Sequence, residues 1–163
     1  MEQDIINGLI ARGMPPYIAQ AFVMNARDES GFNPQASGDN GNAFGVFQWN
    51  GPRMHALQSY AHSNGRDAGD LNTQLDYLMT ELQGPESGAW SKIKATGNAN
   101  DAALAVLNYF ERPAEANRAR RAADYAGANV NSLAVPQPQQ NALAMLPRIQ
   151  LNYLNPADFM RKV

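Results

Sequence analysis

Apolar residues recur at Ile5, Ile6, Leu9 and Ile10 and stop at Gly13, the spacing of a helix that ends where glycine frees the backbone. Pro15-Pro16 then opens a second helix at positions where a missing N–H leaves no bond unmade, and Ile18, Phe22 and Ala26 mark its buried face. A stretch rich in Gly, Asn and Asp follows, with AFGVFQW beyond it as the strand candidate. The helical period returns after Pro52, over residues 54–62, 71–82, 90–95, 102–110 and 113–126. The pattern predicts an α+β fold, mostly α, with one small β-hairpin.

The period fails at NSLAVPQPQQ, where Pro alternates with Gln, so residues 129–140 read as a linker. Residues 141–163 are too short for a core of their own. Leu143, Met145, Leu146, Ile149 and Leu151 suit docking onto the main body or a partner. Residues 1–128 are therefore expected to form one compact domain, consistent with 163 residues at 44% hydrophobic content.

Charge and composition narrow the function. Thirteen Lys and Arg against fifteen Asp and Glu give no field to attract nucleic acid or an anionic membrane surface. There is no cysteine, and His55 and His62 are the only histidines, which argues against a zinc enzyme. MEQDIINGLIARG lacks a basic start and a long apolar run, so it reads as an amphipathic helix and no signal peptide is expected. No apolar stretch approaches the ~20 residues of a membrane span, and no insertion is expected.

The candidate chemistry is in DESGFNPQASGDNGNAFGVFQWNGPR, residues 28–53. Glu29 follows Ile18, Phe22 and Ala26 by 11, 7 and 3 positions and so projects from the apolar face of its helix. Lost hydration raises the pKa of such a carboxyl, the property a general acid needs. The alternative is a helix-end ion pair with an arginine such as Arg53. Asp28, about 100° round the helix, is expected to be solvated. Asn40-Gly41 is a two-residue hairpin signal. With that loop, Asp39 faces Asn42 across the ladder, and alternation carries the same face through Phe44, Val46 and Gln48 unless Gly45 bulges the strand. A helix-end acid beside a hairpin carboxylate is the layout of glycoside hydrolysis.

Other polar residues have blander readings. Glu111 lies on an apolar face after Leu104 and Leu107 and is the main rival to Asp39, but an ion pair with Arg112, Arg118 or Arg53 accounts for it without chemistry. Gln74, Tyr77 and Glu81 form a strip that borders a cleft or, more commonly, is solvated. Phe47, Trp49, Trp90 and Tyr109 either stack on sugars or fill the core.

ESGFNPQASGDNGNAFGVFQWNGPR, QLDYLMTEL and NYFERPAEANRARRAADY, in that order, resemble the phage tail lysozyme family over roughly residues 2–128. ESGFNP is also similar to the Glu-Ser-x-x-x-Pro signature of lytic transglycosylases and goose-type lysozymes. The resemblance implies a lysozyme-like domain whose hairpin lines the cleft. It implies a muramidase cleaving the β-1,4 bond between N-acetylmuramic acid and N-acetylglucosamine, with no metal or organic cofactor. Glu29 would be the acid and Asp39 the second carboxylate. Family members often have Thr or Ser where this chain has Asn42-Ala43, so the Asn42 amide stands in for a hydroxyl. Asn42, Gln48 and Tyr109 are the sugar-contacting candidates. The implied partner is the peptidoglycan glycan strand, with phage tail or virion proteins as possible partners of residues 141–163. Delivery would be as a virion component or as a cytoplasmic endolysin. The rivals are a lytic transglycosylase, in which one carboxyl suffices, and a non-catalytic glycan-binding tail module.

Overall fold

A computed structural model describes residues 1–128; the expected linker, 129–140, and the segment 141–163 lie outside the described residues. Helices α1 (Glu2–Ala11) and α2 (Pro16–Ser30) are followed by a three-stranded antiparallel sheet of two-residue strands, β1 (Ser37–Gly38), β2 (Ala43–Phe44) and β3 (Trp49–Asn50). Helices α3 (Pro52–Ser63), α4 (Leu71–Gln83), α5 (Ser87–Lys94), α6 (Ala99–Ala105) and α7 (Glu115–Gly127) complete the described chain. The expected α+β, mostly helical architecture is present. Helix α6 runs on into a π-helical turn, Val106–Glu111, which Arg112 ends at φ +51°.

The period-matched residues build the core. Ile5, Ile6 and Leu9 of α1 and Ile18, Phe22 and Ala26 of α2 are all buried. Phe22 packs edge to face on Phe47 at 5.6 Å and on Phe110 at 5.5 Å, Phe47 continues to Trp49 at 5.5 Å, and Trp49 to Tyr77 at 5.6 Å. Such pairs each contribute about 0.5–1.5 kcal/mol beyond the area they bury. This ring chain ties α2, the sheet, α4 and the π turn together, and it gives Phe47 and Trp49 the core role rather than the sugar-stacking one.

The sheet departs from expectation in two ways. AFGVFQW is not one strand, because Gly45 at φ +86° and Gln48 at φ +45° fold it into a turn between β2 and β3. The space above Gly45 is filled by Gln74 of α4, whose Oε1 would lie 2.8 Å from a Cβ there. The Gln74 carboxamide accepts from Val46 N–H at 2.9 Å and donates to the carbonyls of Pro34 and Ala68 at 2.6 and 2.7 Å, pinning the arm to α4. The hairpin loop is also longer than Asn40-Gly41. Gly38 pairs with Ala43, and residues 39–42 form the connection around a 3₁₀ turn at Asp39–Gly41. Asp39 and Asn42 are thus turn residues rather than ladder partners.

The polar strip of α4 is likewise not solvated: Gln74, Tyr77 and Glu81 are 0%, 6% and 2% exposed. Each polar end meets a partner from the sheet arm or α3, so burial leaves no group unsatisfied.

Candidate active site

Helix α2 ends where the first wall of a cleft begins. Gly31 takes the left-handed cap at φ +59°, with its N–H on the carbonyl of Arg27. Ser30 Oγ donates to the carbonyls of Ala26 and Val46 at 3.1 and 2.9 Å, which fastens the helix end to the sheet arm. Glu29, one residue earlier, turns its Oε1 to Arg121 of α7 in a short ion pair. Arg121 is 4% exposed. It donates to Asn25 Oδ1 at 3.1 Å and to the Tyr125 hydroxyl. The Tyr125 hydroxyl in turn donates to Asp28 Oδ2 at 2.8 Å. Asn25, Asp28 and Glu29 therefore face α7 together. Asp28 remains exposed, as expected, but is also hydrogen-bonded into this network, and the partner of Glu29 is Arg121 and not Arg53.

The opposite wall comes from the sheet arm. Asp39 is exposed at φ +47°, and its Oδ2 accepts from Asn50 Nδ2 at 2.9 Å. Gln48 donates to the carbonyls of Ala36 and Gly45 at 3.1 and 2.9 Å. Its Oε1 would lie 2.2 Å from a Cβ on Gly38, so a side chain there would have to displace the Gln48 carboxamide. Asp39, Ala43, Gln48 and Asn50 line one cleft of about 370 Å³ with Glu29, Arg53, Glu111, Arg112 and Pro113. Asn42 is exposed, outside that lining. Tyr109, 43% exposed, lines a separate depression where Lys92 sits 4.6 Å over its ring.

The floor is an ionic clasp. Arg53 of α3 donates from Nε to Glu81 Oε1 at 2.8 Å and from Nη2 to Glu81 Oε2 at 3.0 Å. Trp49 Nε1 donates to the same Glu81 Oε2 at 2.9 Å. The Arg53 guanidinium lies 4.3 Å over the Phe110 ring and donates to the Phe110 carbonyl. Arg112 forks onto Glu86 at 2.9 and 2.8 Å, and those bonds hold the Glu86 carboxyl below the usual carboxylate range despite its partial burial.

Glu111 has none of the partners expected for it. Arg53 is engaged by Glu81, Arg112 by Glu86, and Arg118 by Glu115 and the Pro113 carbonyl. Glu111 Oε1 is buried with no hydrogen bond. Burial first, and then the negative charge of Glu29, push its carboxyl well above the ordinary range against the opposing pull of Arg53 and Arg121. The cleft thus brings the carboxyls of Glu29, Asp39 and Glu111 together with the guanidinium of Arg53, and of these Glu111 is the one whose surroundings oppose its charge. Among the described residues no three His, Asp or Glu side chains converge as metal ligands.

Arg121 was the element sequence reasoning missed; Glu111 and Glu81 were noticed there, but with an ion pair to Arg112, Arg118 or Arg53 expected for the first and solvation for the second. Arg121 sits in a run of charges on an outwardly polar helix, and its only signal is the four-residue spacing to Tyr125. Glu81 shares the Leu78 and Leu82 side of α4, an acid at the margin of an apolar face, which is the signal that picked out Glu29.

A relative, Morphogenesis protein 1 of Bacillus phage B103, is 30% identical over 133 residues. The alignment covers 73% of this chain and 35% of that protein, so the chain spans about a third of the relative's length. The family model for phage tail lysozymes matches residues 1–130, and with its α+β lysozyme-like fold the chain belongs to the phage tail lysozyme family.

Proposed function

We propose that this chain is a peptidoglycan-lytic glycosidase acting on the β-1,4 bond between N-acetylmuramic acid and N-acetylglucosamine. The observation that carries the reading is the convergence of a helix-end carboxyl, Glu29, and a hairpin carboxylate, Asp39, on the lining of one cleft. Glu29 protonates the leaving oxygen. Arg121 holds its Oε1 and so aims Oε2 at the substrate. Asp39 acts on water or on the oxocarbenium-like charge of the sugar. Gln48 shapes that wall by bracing the backbone, and Asn42 and Tyr109 meet the glycan beyond the reacting bond. The family and the phage relative support delivery with the virion and action at the cell wall.

One observation favours a lyase instead. The Asp39 carboxylate is exposed and held by Asn50, as a turn residue with no chemical role would be. In a lytic transglycosylase the sugar's own 6-hydroxyl attacks and one carboxyl suffices. Mass spectrometry of digested peptidoglycan separates the two. Reducing-end fragments are expected, anhydro fragments would establish the lyase, and no fragments would refute both. Glu29→Gln is expected to cut the rate by about 10²–10⁴-fold. The amide keeps an acceptor toward Arg121, so the variant folds at a cost of about 1–3 kcal/mol. Activity within about tenfold of wild type would remove Glu29 from the role.

A further inference from the structure

Two carboxyls lining the same cleft come from distant parts of the chain, Glu29 from α2 and Glu111 from the π turn. Glu29 has one cationic partner, Arg121. Glu111 has a buried oxygen without a donor, and each arginine near it is bonded elsewhere. The charged groups that act on Glu111 come from every side: Glu29 of α2, Arg53 of α3, Glu81 of α4 and Arg121 of α7. Glu81 is already neutralised by Arg53 and Arg121 by Glu29. Glu111 is thus left without a counter-charge of its own, and a second negative charge, Glu29, on the same cleft lining opposes its ionisation.

We propose that Glu29 and Glu111 form one proton-sharing pair in which Glu111, a positioning residue, stores the proton in the resting cleft and hands it to Glu29 for catalysis. The inference rests on the glycosidase reading above. In the step, the Glu111 proton passes to the Glu29 carboxylate, and Glu29 gives it to the glycosidic oxygen as the C–O bond breaks with its electron pair going to that oxygen. The pair is left with two negative charges and regains one proton from solvent through the open cleft. The π turn has a use on this account. It sets Glu111 on the cleft lining while Tyr109, two residues earlier, stays on the separate depression, and π turns recur at functional sites for such re-aiming.

The test uses the full chain and a soluble peptidoglycan glycan. In Glu111→Gln the alkaline limb of the kcat/KM profile is expected to move down by about one pH unit or more, since Glu29 must then hold the proton alone. An unmoved limb in a folded Glu111→Gln protein overturns the proposal. A second readout needs no activity. In protein labelled with ¹³C at the glutamate carboxyls, one resonance should titrate above all others and vanish in Glu111→Gln. In Glu29→Gln its midpoint should fall, because a neighbouring negative charge is gone and Arg121 is released. A midpoint that stays put in Glu29→Gln overturns the pair even if Glu111→Gln fails to fold. Wild-type protein that cleaves no glycan at any pH would sink the glycosidase reading, a failure seen in the digestion and not in the resonance.

Discussion

Replacing Glu81 with Gln tests the clasp beneath the cleft. The side chain keeps its shape, but an NH₂ now faces Arg53 in either orientation, and in one of them the Trp49 indole N–H as well, donor against donor. The carboxylate is 2% exposed and holds three close donors at 2.8, 3.0 and 2.9 Å. Breaking one partner out of a buried pair typically costs about 3–5 kcal/mol. Arg53 is 23% exposed and keeps its seat over Phe110, so part of its charge rehydrates and about 3 kcal/mol is expected. At this chain length about 1 kcal/mol moves Tm by roughly 3–4 °C, so Tm should fall by about 10 °C. Differential scanning calorimetry and guanidinium unfolding of the full chain supply the measurement. Adding Arg53→Met removes the stranded cation, and the double variant should recover much of the loss. A Glu81→Gln protein melting within about 3 °C of wild type would refute the claim that this carboxylate holds β3, α3 and α4 together.

Four further outcomes follow from the same geometry. Asp39→Asn should nearly abolish hydrolysis with Tm and chitooligosaccharide affinity unchanged, and wild-type rates in a folded, ligand-binding variant would end the two-carboxylate mechanism. Gly45→Ala should destabilise by several kcal/mol, because φ is +86° and the new Cβ lies 2.8 Å from Gln74 Oε1; a melt unchanged by calorimetry would contradict that fit. The raised Glu111 carboxyl makes folded protein bind the proton more tightly than unfolded, so its contribution is full below the unfolded glutamate pKa of about 4.3 and is lost as pH rises through the folded value. Glu111→Gln should accordingly flatten the decline of unfolding free energy above that pH, and parallel curves would count against the burial of Glu111. Ending the chain after residue 128 should leave a cooperative melt, since the described helices close their core within that span, and loss of cooperativity would move the domain boundary.

Sequence periodicity located the helices because most of them are amphipathic over at least two turns. α4 spans Leu71–Gln83 against an expected 71–82, and α3 Pro52–Ser63 against 54–62. Glu29 was legible for the same reason, as an acid on a face otherwise apolar. The sheet was less legible because its strands are two residues each, too short for alternation to carry information, and because a residue 29 positions away, Gln74, decides how Gly45 turns. Ion-pair partners were the least legible part. Glu29 meets Arg121 across 92 positions and Glu81 meets Arg53 across 28, and several arginines were equally plausible for each acid on spacing alone. The choice among them is made by packing, as when the Phe110 ring seats Arg53 toward Glu81 and so leaves Glu111 without it.

The bond between Glu29 and Arg121 also sets an order of events during synthesis. Its two ends lie 92 residues apart, so a ribosome that has delivered α2 and the sheet arm has yet to deliver the cation that pairs with Glu29. The aromatic chain from Phe22 to Tyr77 closes earlier, with Phe110 the only ring still to come. A chain ended before α7 therefore leaves the Glu29 carboxyl without its counter-charge. Completion of the last described helix, α7, is what supplies the counter-charge to Glu29.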